Sequence, residues 1–280
     1  MGKKYKRIKR ETLISYLMIA PEMILMLIFI FIPIVYAFYI SLFDWNAMGT
    51  KAFVGISNYL KMMQDSTFKG SLLVTGKYAL IYVLTVYVLS LAAAVFVNSI
   101  RGNKRQQACR IGIYLPNTVS TIVAATLWTF LFNSRNGYIN KVLDGIGIGR
   151  QLFLGSRSQA LVCVAIVGIW VVFGYNMIIF LSALKDVPSE YYEAAKMDGA
   201  NAVQRFFKIT LPSIKGTTIF VLVTSLIASF QAFDQIRVMT SGGPGKTTEV
   251  TVYYIFQLAF EQYRFCLLYT SPSPRDLSTS

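Results

Sequence analysis

Long apolar runs alternate along this chain with short polar connections. Five runs read as membrane spans: about Met23 to Phe43, Leu72 to Ile100, Ile111 to Phe132, Ala160 to Leu184, and Thr217 to Met239. Each has roughly the twenty residues that an α-helix needs to cross a ~30 Å hydrocarbon core. Residues 1–22 form a basic interfacial head, with Leu13 to Ala20 extending the first helix. Pro21 and Glu22 sit at the interface because a charge at mid-bilayer costs about 2.5–3.5 kcal/mol. The run is too long for a cleaved signal peptide. Lys77, near the start of the second span, either snorkels outward or faces the bundle interior. The expected class is an all-α integral membrane protein.

Charge then orients the spans. The chain carries 27 Lys and Arg against 13 Asp and Glu, a net +14 in 280 residues, yet only 14% of its residues are charged and 55% are hydrophobic. The cations are not spread as a nucleic-acid surface would require. More than half of them fall in the head (Lys3 to Arg10), the Arg101 to Arg110 connection and the Lys185 to Lys215 connection, which lie on one side if the spans alternate. The excess of cations places that side in the cytoplasm. No histidine and only three cysteines are present. That composition argues against a disulfide framework, a zinc site and hydrolytic chemistry. No catalytic residue, metal ligand, cofactor or nucleic-acid partner is expected.

The one long polar segment that reads as a built object is Val187 to Gly216. Ser189 suits the cap of a first helix, with Glu190 and Glu193 in its first turn. Gly199 suits the left-handed or close-packed turn that ends it, where a β-carbon has no room. Asn201 suits the cap of a second helix through Phe207, and Pro212 its end. Tyr191, Tyr192, Phe206 and Phe207 offer aromatic anchors. Glu193, Ala194 and Ala195, then Gly199, then Ile209, Leu211 and Pro212 resemble the Glu-Ala-Ala loop of permease subunits in binding-protein-dependent ABC importers of the sugar type. The resemblance runs from about Tyr16 to Phe260. It implies a type I importer permease bundle in the bacterial cell membrane. It also implies that these seven residues couple to a cytoplasmic ATPase dimer. Further partners would be a second, homologous permease, an extracytoplasmic solute-binding protein and the bilayer.

Smaller elements carry the same resemblance. Ser41, Asp44 and Trp45 close the first span, although Leu42 replaces the family's Phe. Phe53, Gly55, Asn58 and Tyr59 follow, and Thr240, Gly242, Gly243 and Pro244 lie after the fifth span. Gly245-Lys246-Thr247 imitates a phosphate loop, but the glycine that motif requires five residues earlier is Thr240. From Cys266 the chain turns rich in Ser, Thr and Pro and cannot span. The permease domain is therefore expected over 23–265, with a non-native or disordered tail over 266–280 and the sixth span of the family missing or replaced.

A solute pathway needs polar groups at membrane depth, which are costly unless they face a cavity or one another. Asn117, Asn176, Gln231 and Asp234 are the candidates, with Thr118, Ser225 and Ser229 behind them. Trp128, Trp170, Phe230 and Phe233 could supply aromatic faces. A sugar, polyol or glycerol phosphate would suit such groups. The alternative is a secondary transporter or channel driven by an ion gradient, which would want inverted repeats or matched membrane charges; no repeat is visible.

Overall fold

A computed structural model describes residues 2–45 and 51–261. The tail expected over 266–280 lies outside these residues. The chain divides into two units, residues 1–66 with 257–280, and residues 67–256.

In the first unit α1 (Gly2–Met26) continues through a π-helical turn, Leu27–Phe31, into α2 (Ile32–Ser41). Pro33 has no N–H to give the helical ladder. The ladder widens just before it, so that the Ile32 amide reaches back to the Leu27 carbonyl. An antiparallel hairpin follows, β1 (Phe43–Trp45) with β2 (Lys51–Phe53), and then α3 (Ser57–Gln64). Asn58 and Tyr59 tie this segment back onto the helix end. The Asn58 side-chain amide donates to the carbonyls of Ser41 (2.7 Å) and Phe43 (3.0 Å), and the hydroxyls of Ser41 and Tyr59 lie 2.7 Å apart. The Phe-x-Gly-x-x-Asn-Tyr element is thus a clip. Asn58→Ala should orphan two carbonyls and cost about 1–3 kcal/mol, read as earlier proteolysis after Ser41 in membranes; unchanged protease resistance would contradict the clip.

The second unit is built on α4 (Ser66–Ser99) and α8 (Ala160–Lys185). On α4, Thr75, Tyr78, Tyr82, Val86 and Ser90 are buried along one face, while Leu73, Lys77, Leu80, Leu84 and Val88 are exposed along the opposite one. This is the three-to-four-residue spacing of a helix with one packed face; Lys77 therefore faces outward. Between them α5 (Asn103–Tyr114) runs through a 3-10 turn (Leu115–Thr118) and meets α6 (Thr121–Leu131) at a 95° bend. The span expected over Ile111 to Phe132 is thus a bent one, because Pro116 and the extended Val119 interrupt the ladder. The connection to α8 holds α7 (Tyr138–Gly145), pinned by buried Asn140, which exchanges hydrogen bonds with the backbone of Gln151.

After α8 come α9 (Ser189–Met197), α10 (Ala202–Arg205), α11 (Leu211–Ser213), α12 (Lys215–Phe230), α13 (Asp234–Met239) and α14 (Thr251–Phe256). The expected fifth span ends early: the helix stops at Phe230, and α13 is a separate short helix. Three helices among the described residues are long and apolar enough to cross a membrane, and five if each bent pair counts as one span. Two apolar clusters hold the unit together. One gathers Tyr78, Tyr82, Val164, Val167 and Ile236, the other Leu91, Met177, Phe180, Ile214 and Val221.

Candidate coupling loop and solute pathway

The polar segment after α8 is a helical pair, as its pattern predicts, but its joints differ in detail. Ser189 is the first helical residue of α9 and makes no capping bond; the turn starts from Pro188, with Glu190 in the first turn and Glu193 beyond it. The far end is a Schellman closure. The Gly199 amide donates to the Lys196 carbonyl (3.0 Å), the Ala200 amide donates to Ala195 (2.8 Å), and Gly199 holds φ +77°. A β-carbon there would meet no atom within 4 Å. The requirement for glycine is therefore the left-handed backbone alone, and the close packing expected at this site is absent within the chain.

Asn201 then caps α10 in a reciprocal box with Gln204, at 2.8 and 2.9 Å. The second helix passes Phe207 and Pro212. A π-helical turn, Phe206–Thr210, absorbs the missing donor of Pro212, as the earlier one does for Pro33. The break comes at Ile214, where the axis bends by 70° into α12. Tyr192 and Thr210 join the pair through a 3.0 Å hydroxyl contact.

The coupling candidates all lie on this helix pair. Glu193, Ala194, Gly199 and Pro212 are exposed; Ala195, Ile209 and Leu211 are half-buried. Of the four aromatic anchors, Tyr191 and Phe207 face solvent, while Phe206 packs into the second apolar cluster and Tyr192 is held by Thr210. Met197, 88% exposed, and Val203 are further outward apolar side chains that aromatic spacing alone did not reveal.

The pathway candidates separate. Gln231 and Asp234 line a cleft of about 300 Å³ with Tyr82, Thr121, Phe233 and Gln235. Asn117 stands beside it, donating at 3.3 Å to the carbonyl of Val171, itself a lining residue. Asn176 is buried in α8 and does not line the cleft. Thr118 and Ser229 bond to carbonyls of their own turns, and Trp128 packs edge-on against Trp170 rather than lining the cleft. Gln235, which the sequence reading did not single out although it adjoins Asp234, donates to the Tyr78 hydroxyl at 2.9 Å. The Gly-Lys-Thr stretch is a turn between α13 and α14, with no strand before it.

Comparison with known proteins identifies the class. Residues 87–271 match the family described as binding-protein-dependent transport system inner membrane component. The probable ABC transporter permease protein YurN of Bacillus subtilis is 31% identical across 90% of this chain and 87% of the relative. The trehalose/maltose transport system permease protein MalF of Thermococcus litoralis is 33% identical across 91% and 84%. The sn-glycerol-3-phosphate transport system permease protein UgpA of Shigella flexneri is 35% identical across 90% and 85%. A solved bacterial ABC transporter involved in the import of the acidic polysaccharide alginate superposes with TM-score 0.79 at 25% identity, covering 95% of this chain and 90% of that one. This chain belongs to the inner-membrane permease family of binding-protein-dependent ABC importers, and it has that family's type I fold.

Proposed function

We propose that the chain is one of two permease subunits through which a carbohydrate or a related polar solute, such as a glycerol phosphate, enters the cell. A separate ATPase dimer drives the movement, and an extracytoplasmic binding protein delivers the solute. The observation that carries this reading is the capped helix pair between α8 and α12. Its exposed residues include Glu193 and Ala194 together with Tyr191, Met197, Val203 and Phe207. Exposed apolar side chains of this kind suit an apolar cleft on a partner, and the excess of cations in these connections supports a cytoplasmic position. The named functions of relatives, trehalose/maltose and sn-glycerol-3-phosphate transport, support a polyhydroxylated solute. Gln231 and Asp234 supply an amide and a carboxylate suited to hydroxyl groups, beside the ring of Phe233. ATP-driven closure of the ATPases would push the helix pair, and the 70° joint at Ile214 would pass the motion into α12, whose C-terminal end leads to Gln231.

The test uses single cysteines in a chain whose Cys109, Cys163 and Cys266 are replaced by alanine. Met197→Cys should resist an impermeant thiol reagent in intact cells, react in inverted vesicles stripped of ATPase, and be protected when the ATPase is restored. Lys141→Cys should react from outside. Reaction of Met197→Cys in intact cells would reject the orientation; reaction unaffected by the ATPase would reject the docking role and favour transport on an ion gradient.

A further inference from the structure

A second cleft, of about 460 Å³, lies away from the pathway between the beginnings of α4 and α8. Its lining divides by chemistry. Leu80, Ile81 and Val162 make an apolar wall, and Leu80 and Val162 are exposed on the outward faces of their helices. Lys77, Arg157, Ser158 and Thr247 make a polar rim. Neither cation forms an ion pair among the described residues. The Arg157 guanidinium is seated over the turn: a β-carbon added to Gly245 would stand 3.0 Å from its Nε.

The two cations also share a depth. No charged residue occurs from Tyr78 to Val97 or from Ala160 to Leu184. At 1.5 Å per residue each run spans a ~30 Å hydrocarbon core. Lys77 and Arg157 both stand just beyond the same end of these runs, where lipid phosphates lie. An unpaired cation on a lipid-facing stripe is costly unless an anion meets it there. Two cations, one of them a guanidinium that can bind a phosphate with two parallel bonds, over an apolar wall match a phosphodiester headgroup with an acyl chain below it.

We infer that this cleft holds one anionic phospholipid, its phosphate between Lys77 and Arg157 and an acyl chain along Leu80 and Val162. The inference rests on the membrane-spanning assignment of α4 and α8 and not on the coupling role of the helix pair. Free phosphate would leave the apolar wall uncovered. A solute-binding protein would need the cleft to open to water, whereas its apolar wall continues into the exposed stripes of α4 and α8.

The full-length chain, purified in mild detergent and reconstituted in nanodiscs of equal phosphatidylglycerol and phosphatidylcholine, should retain phosphatidylglycerol in native mass spectra. Lys77→Gln with Arg157→Gln should lose one bound phosphatidylglycerol per chain. The charge-preserving pair Lys77→Arg with Arg157→Lys should keep it, which separates lipid binding from folding. Lys69→Gln with Lys141→Gln, equal in charge lost but outside the cleft, should also keep it. Equal loss in both glutamine pairs would reduce the effect to net charge and overturn the site. So would displacement of the lipid by inorganic phosphate alone, or a glutamine pair at 77 and 157 that keeps its lipid but no longer binds a soluble partner.

Discussion

Gly199→Val should abolish most solute uptake while leaving the protein inserted at near-normal abundance. The backbone at Gly199 sits at φ +77°, and two hydrogen bonds of the Schellman closure depend on it. A β-branched residue in the left-handed region costs about 1–2 kcal/mol. That shifts the population of the closed turn by about 5- to 30-fold. Nothing lies within 4 Å of the added carbon, so the change acts on the angle between α9 and α10 and not on the membrane core. Uptake should fall about tenfold, with the ATPase released from the membrane or hydrolysing ATP without transport. Gly147→Val is a matched control: φ is +81°, the space around it is equally open, and the position falls in the connection between α7 and α8, which the proposed topology puts on the other side of the membrane. If Gly199→Val transports normally while Gly147→Val does not, the helix pair has no coupling role. Glu193→Lys should give a milder loss, since it changes the sign of an exposed charge on the docking face without disturbing the turn.

Periodicity and local chemistry make this helix pair legible in the sequence. Gly199 and Asn201 are strong local signals, and both adopt the conformations their types favour. The prolines mislead, because a π-helical turn lets a helix run on through Pro212 and leaves the real joint at Ile214, a residue type that carries no turn signal. The broken third span has the same origin. Hydropathy integrates over a window and does not register a 95° turn inside an apolar run. The cleft-lining residues are legible only in part. Gln231 and Asp234 follow the end of α12, where a chain leaving its helix must expose polar groups to a cleft. Asn176 has the same chemistry but lies on a packed face of α8. Sequence alone does not distinguish those two environments, because each depends on what the neighbouring helix covers.

Gly174 is a position within a long span where the structure leaves no room for a side chain. A β-carbon added there would collide with the carbonyl of Ile113 and lie 3.0 Å from the Cα of Tyr114. Both obstacles are backbone, so no side chain can rotate away. Only by keeping this position bare can α5 cross α8 closely enough for the 95° bend to bring Asn117 to the Val171 carbonyl. Gly174→Ala, a single added methyl, should therefore force the two helices apart. Overpacking of this kind costs about 1–3 kcal/mol or more, and the second apolar cluster, which joins Ile113 to Met177 and Phe180, would loosen with it. Gly76→Ala is the proper comparison: it too lies within a long span, yet its added carbon would meet nothing within 4 Å. Alanine there should be neutral, or stabilising by up to about 1 kcal/mol, because it favours the helix. Membrane abundance and thermal unfolding in detergent should separate the two variants clearly. Equal behaviour would mean that α5 and α8 do not cross at Gly174, and the placement of the bend beside the cleft would fail with it.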